Sequence, residues 1–232
     1  FPHTCDSIQR LSDIWAENLR FPFHWDLVLP VKLHTESARS YLISELGRFR
    51  KGLEEFVGRP IPDDDLRKAI SLFNENRSLL RQISRTQAEN PGRIPSADFY
   101  ALIKTANFMA KEDHNPLLNG FISELGNGQP SPPGGVRLFL AGSVCDQPQI
   151  YRLIESCGAS LVGDDLCTGW RYFAEDVSSE GDPIAALADR RAERLDVVDE
   201  LRPRRRLALR DRRPHVHAVE RLALRRRRTG ER

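Results

Sequence analysis

Residues 126–135 read Gly-Asn-Gly-Gln-Pro-Ser-Pro-Pro-Gly-Gly, and no regular element survives that composition. Proline removes backbone donors and fixes φ, while glycine frees it, so neither a helix nor a central strand runs through such a stretch. It reads as a linker or exposed loop that divides the chain. The apolar period before it is helical and the period after it is strand-like. The two sides are therefore expected to fold differently, inside the α/β class.

Before the divide, residues 1–34 read as the closing part of an α/β unit. The turn Pro2-His3-Thr4-Cys5-Asp6-Ser7 leads into a helical pattern of Ile8, Leu11, Ile14, Trp15 and Leu19, followed by an extended aromatic segment that Pro30 closes. A helical region follows over 35–125. Thr35 is placed to cap its first helix, and Leu42, Leu46, Phe49, Leu53 and Phe56 recur in steps of four and three until Gly58 and Pro60. Pro62 and the acidic run Asp63-Asp64-Asp65 start a second helix, where carboxylates oppose the positive end of the dipole. Its stripe is Leu66, Ile70, Phe73, Leu80 and Ile83. A third helix begins at Ser96 and runs through Phe108 and Met109, and a short fourth starts at Pro116.

After the divide, residues 136–189 open a second α/β unit. Residues 136–141 form a buried strand candidate, 147–157 a helix with Ile150, Leu153 and Ile154 inward, and 159–163 a second strand. Gly158 is the helix stop. This β-α-β order predicts parallel strands. Ligands in open α/β sheets sit at the carboxyl ends of strands, so Gly142-Ser143 and Asp164-Asp165 are expected on one edge.

The formal charge of +2 averages two unlike segments. Residues 190–232 hold 16 Arg and no Lys against 7 acidic residues, which leaves the remainder of the chain acidic. This tail keeps no period of two or 3.6. It can be an arm that neutralises nucleic-acid phosphates, or an out-of-frame translation of GC-rich DNA. The abrupt change at one residue and the loss of Lys favour the frameshift. No run of 18 apolar residues is present, so no membrane span is expected. Cys5, Cys145, Cys157 and Cys167 suit free thiols in a reducing cytoplasm better than a disulfide framework.

Each candidate motif carries two readings. Cys5, just past a proline and between His and Asp at a strand-to-helix turn, is either a metal ligand or a small core thiol. Cys145, Cys157 and Cys167 form no C-x-x-C and fit no zinc or ferredoxin spacing. Gly142-Ser143 can offer amides to a phosphate or simply turn the chain, and it lacks G-x-G-x-x-G and the Walker lysine. Asp164-Asp165 can bind a cation or cap the next helix, and capping is preferred without further acids.

Several of these segments together resemble the D-component family of 2-hydroxyacyl-CoA dehydratases, which includes benzoyl-CoA reductase subunits. The matching text is Pro2-His3-Thr4-Cys5-Asp6-Ser7, Leu29-Pro30-Val31-Lys32, Tyr41-Leu42-Ile43-Ser44-Glu45-Leu46, and Asn74 through Arg77 as an N-x-x-R helix. Leu140-Ala141-Gly142-Ser143, Asp164 through Phe173, and Asp182-Pro183 to Ala188 continue it, over about residues 1–189. The resemblance implies two Rossmann-like α/β domains with an interposed helical region. It implies a [4Fe–4S] cluster held by three cysteines, a second homologous subunit, and an ATP-dependent activator that supplies a low-potential electron. The implied substrate is an acyl-CoA: dehydratases form a ketyl radical and release water, and reductases dearomatise benzoyl-CoA. The cluster carries chemistry that no side chain supplies.

Within that resemblance Cys5 matches a cluster ligand, while Cys145 and Cys167 do not. The family's other ligands would lie before Phe1 and beyond Asp189. The competing functions are a non-catalytic nucleic-acid binder using the tail, which is disfavoured, and a degenerate accessory subunit. With one matching thiolate, the 232-residue chain alone is expected to be inactive and to bind no stable cluster. Anaerobic reconstitution checks this, and a four-iron absorption band lost in Cys5→Ala would refute it.

Overall fold

The computed structural model describes residues 1–2, 6–30, 35–127 and 135–193. Cys5, Val31-Lys32, residues 128–134 and the arginine-rich tail from 194 onward lie outside the described residues. The chain is mixed α/β and mostly helical. Its helices are α1 (Asp6–Asn18), α2 (Glu36–Val57), α3 (Asp63–Glu89), α4 (Ser96–Thr105) and α5 (Lys111–Asn127) before the divide. After it come β1 (Val136–Ala141), α6 (Pro148–Ser156), β2 (Ala159–Asp165), α7 (Trp170–Phe173) and α8 (Pro183–Glu193).

The helix ends follow local chemistry. Thr35 Oγ1 accepts the Ala38 amide at 3.2 Å and caps α2. Gly58 ends that helix at φ 70°, a left-handed conformation glycine reaches without strain. Arg50 then bridges the turn, donating to Glu54 (3.2 Å), to Asp63 (2.7 Å) and to the Ile61 carbonyl. At 27 residues α3 is the longest helix described, about 40 Å from end to end.

β1 and β2 pair in parallel. Val162 is an extra residue in β2 opposite the Leu138–Phe139 step, a bulge that sets Leu140 against Asp164 and Ala141 against Asp165. One core joins both sides of the proline-rich stretch. Leu80 and Ile83 of α3, Phe99, Tyr100 and Ile103 of α4, Leu118 of α5, Tyr151 of α6, Leu161 of β2 and Phe173 of α7 are buried together. A bidentate pair from Arg39 to Asp189, at 2.5 and 2.9 Å, ties α2 to α8.

Several expected faces turn out differently. Ile14 and Trp15 of α1 and Leu19 just after it are exposed, and the buried residue of that helix is Ser12, which donates to Asp26 Oδ1 at 2.5 Å. In α6 the buried residue is Tyr151, whereas Ile150 and Leu153 face out. β1 is largely exposed because, among the described residues, it has one strand neighbour. α4 stops at Thr105, so Phe108 lies beyond it, 78% exposed. α5 begins at Lys111 and carries Pro116 inside it rather than at its start.

Those last two differences make room for a buried polar network. Asn76 Nδ2 donates to His114 Nδ1 (2.8 Å) and to Asn115 Oδ1 (2.7 Å). His114 Nε2 meets Thr105 Oγ1 at 3.0 Å, and that hydroxyl donates to the Leu102 carbonyl. The chain of donors assigns the neutral Nε2–H tautomer to His114. Burial first, then the Lys111 charge, push the His114 imidazole below its ordinary value of 6.5. A depressed folded value means the unfolded chain binds more protons, so this stabilisation is present above about pH 6.5 and is lost as pH falls below it. His114→Gln is therefore expected to be destabilised by about 1–3 kcal/mol at pH 7.5. The gap from wild type should narrow at pH 5, read from urea midpoints of both proteins.

Candidate functional site

The parallel pairing brings the two strand ends together, as the β-α-β order predicts. The Gly142 amide donates to the Asp165 carbonyl at 3.3 Å, and the Cys167 amide donates to the Ser143 carbonyl at 2.7 Å. Gly142-Ser143 and Asp164-Asp165 thus form one edge. Both aspartates lie within β2 rather than after it.

Asp164 is buried and acts as a cap. Its Oδ1 accepts the Leu166 amide (3.1 Å) and the Trp170 amide (2.8 Å) at the start of α7. Burial pushes the Asp164 carboxyl up, and the two amides work against that shift. Gly169 is required by this approach: a Cβ there would fall 1.9 Å from Asp164 Oδ1. Asp165 receives the Arg171 fork, Nε at 2.6 Å and Nη2 at 2.9 Å. The bonds to Asp165 hold the Arg171 guanidinium above its ordinary range. Arg171 Nη1 also reaches Cys167 Sγ at 3.5 Å.

A small gap with room for about one water lies beside this edge, lined by mostly buried residues that include Tyr100, Tyr151, Asp164, Thr168 and Gly169. Tyr100 and Tyr151 stack with ring centroids 4.6 Å apart. Tyr100 donates to Asp146 Oδ1 at 2.6 Å, and Lys104 pairs with the same oxygen at 2.9 Å. The bonds from Tyr100 and Lys104 hold the Asp146 carboxyl below its ordinary value. Tyr151 donates to the Cys145 carbonyl at 3.1 Å, and burial pushes its phenol up.

The N-x-x-R helix proves to be a clamp on the chain after α7. Asn74 Nδ2 donates to the Val177 carbonyl at 2.7 Å, and Asn74 Oδ1 accepts the Val177 amide at 2.9 Å, as a strand neighbour would. Arg77 Nη1 donates to the same Asn74 oxygen at 2.5 Å.

The structure separates the cysteines. Cys145 is half-buried beside Tyr151, Cys157 is exposed at the end of α6, and Cys167 is exposed beside Arg171. Cys5 lies outside the described residues. Among the described residues no three His, Cys, Asp or Glu side chains gather as metal ligands. The described thiols therefore do not fit an iron–sulfur cluster, which needs several thiolates converging. Sequence reasoning missed the Arg77–Lys111–His114 group, whose members sit 34 and 3 residues apart in the chain. Only the packing of α3 against α5 brings them together.

These features define a mixed α/β protein whose strand-end edge is held by polar side chains. The family model for 2-hydroxyglutaryl-CoA dehydratase, D-component, matches residues 1–212. The chain belongs to that family, and the matched stretch continues past Asp189. It is 32% identical over 192 residues to a benzoyl-CoA reductase subunit of Thauera aromatica, covering 81% of this chain and 49% of that one. Against the (R)-phenyllactyl-CoA dehydratase beta subunit of Clostridium sporogenes it is 25% identical, covering 82% and 51%. Against the (R)-2-hydroxyglutaryl-CoA dehydratase beta subunit of Acidaminococcus fermentans it is 23% identical, covering 81% and 50%. The chain spans about half the length of these curated relatives.

The Asp164–Gly169 contact leads to a specific expectation. Gly169→Ala should destabilise the protein by about 1–3 kcal/mol through overpacking against the capping carboxylate, measured as a lower urea midpoint with an unchanged m-value.

Proposed function

We propose that this chain is a subunit of an iron–sulfur acyl-CoA enzyme of the 2-hydroxyacyl-CoA dehydratase or benzoyl-CoA reductase type. The family match over residues 1–212 carries this reading. The relatives are named as subunits, which supports a second, homologous subunit as partner. The proposal includes an acyl-CoA thioester as substrate and an ATP-dependent activator that delivers low-potential electrons. A thioester carbonyl that must accept an electron needs a cofactor, because side chains do not supply one.

Cys5 is proposed as a ligand of a [4Fe–4S] cluster, and no step is assigned to Cys145, Cys157 or Cys167. The segment 1–34 is proposed to close one Rossmann-like α/β domain and 136–189 to open another, with 35–125 as the helical region between. Family membership supports this reading over a nucleic-acid-binding arm, whose residues from 194 onward lie outside the described ones. Among the described residues no helix is long and apolar enough to cross a membrane.

Identity to the reductase subunit is 32%, against 25% and 23% for two dehydratase subunits. Benzoyl-CoA is therefore the first substrate to test. The anaerobically assembled enzyme with its partner subunit, activator and MgATP is expected to consume benzoyl-CoA to a dearomatised thioester, and Cys5→Ala is expected to abolish turnover. Consumption of a 2-hydroxyacyl-CoA instead, with loss of water, would select the dehydratase arm. Turnover of neither thioester by a fully reduced assembly that carries an intact four-iron cluster would sink the proposal.

A further inference from the structure

Arg39 and Arg171 each close the Nε–Nη2 edge of the guanidinium on a carboxylate, Asp189 and Asp165 respectively. Arg77 does not. It is 7% exposed, and its Nη1 donates to Asn74 Oδ1. Its Nε is buried with no hydrogen-bond partner among the described residues. Asp176, the acid that acts on Arg77 through space, is engaged by Arg81 at 2.7 and 3.0 Å.

A second buried cation stands nearby. Lys111 is 5% exposed, and its ammonium donates to the Ala106 carbonyl and, at 3.2 Å, to the Met109 carbonyl. The Arg77 guanidinium and the Lys111 ammonium lie 5.9 and 4.9 Å from the centroid of the Phe73 ring. That ring is itself partly exposed, while both cations are buried. Neither cation forms an ion pair among the described residues, and the exposed Glu112 offsets Lys111 only through space. Burial holds both cations down, and the Arg77 charge adds to that effect on Lys111. Two desolvated cations without an anion are an unfavourable arrangement that a dianion would relieve.

We propose that Arg77 and Lys111 form an oxyanion site for a phosphate group, reached by displacement of the partly exposed Phe73 ring, with the unpaired Nε–Nη2 edge of Arg77 as the fork and Lys111 supplying the second charge. The planar fork matches two phosphate oxygens, and two cations suit a doubly charged ligand better than a carboxylate. The phosphate can be free in solution or the phosphate end of a coenzyme A thioester. Only the second source rests on the acyl-CoA reading above.

Isothermal titration of the purified full chain with inorganic phosphate, alone and against coenzyme A, tests the site. Wild type, Arg77→Lys and Lys111→Gln are compared, with far-UV circular dichroism confirming the fold of each. Saturable phosphate binding is expected, weakened about tenfold or more by Arg77→Lys, which keeps the charge but loses the fork. Competition by coenzyme A would identify the thioester as the source, and phosphate binding without competition would identify the free ion. No saturable binding, or equal affinity in wild type and a folded Arg77→Lys, overturns the site. If Arg77→Lys does not fold, unchanged phosphate affinity in Lys111→Gln overturns it. Phosphate binding by a protein that turns over no acyl-CoA leaves the site standing and removes the proposed reaction.

Discussion

The α/β part of this protein is held by the polar side chains of one helix. Asn74, Arg81 and Gln87 project from α3 and bond the Val177 peptide, the Phe173 carbonyl and the Leu161 carbonyl. Each contact meets main chain outside α3, where a backbone group left unpaired in a buried setting would cost free energy. Leu80 and Ile83 of the same helix supply apolar surface to the shared core. α3 therefore acts in place of further strands. It satisfies backbone that a wider sheet would pair, and it fixes the height at which β2 and the α7 turn meet the helical region.

That arrangement explains where the polar groups accumulate. A helix packed on a sheet through apolar residues alone needs no partners for its side chains. A helix that reaches main chain with amides and guanidinium groups must bring neighbours to satisfy what remains. Asn76 is answered by His114 and Asn115, and His114 in turn by Thr105. Arg77 is answered only on one side, by Asn74. Among the described residues the network leaves two buried atoms unpaired, Asn76 Oδ1 and Arg77 Nε. At Arg77 a ligand would complete bonds instead of displacing them.

Much of the helical scaffold is legible in the sequence because its signals are local. Thr35, Gly58, Gly158 and the acidic run Asp63-Asp64-Asp65 act within a turn of where they stand, and the structure uses each as its chemistry dictates. Parallel strands follow from the short β-α-β spacing. Facing is less legible. Ile14, Trp15 and Leu153 lie on readable apolar stripes and yet are exposed, because a stripe says which residues share a side and not what covers it. The Asp164–Asp165 pair shows the same limit at the site. Its preference for capping over cation binding is readable, but the Arg171 partner of Asp165 and the need for Gly169 depend on how the α7 turn closes. Arg77 is the extreme case: an arginine lacking its carboxylate is defined only by the positions of acids distant in sequence.

The strand-end edge also constrains what chemistry this part of the chain can perform. Asp165 gives both oxygens to Arg171, and Asp164 gives one oxygen to two amides. Proton transfer at either carboxylate would break bonds that hold α7 in place, so neither is suited to general acid–base work. Asp146 is tied to Tyr100 and Lys104 in the same way. The titratable groups nearest that gap are thus structural, and their bonds hold the turn into α7. Acid–base chemistry in this part of the chain would therefore need groups other than these three acids.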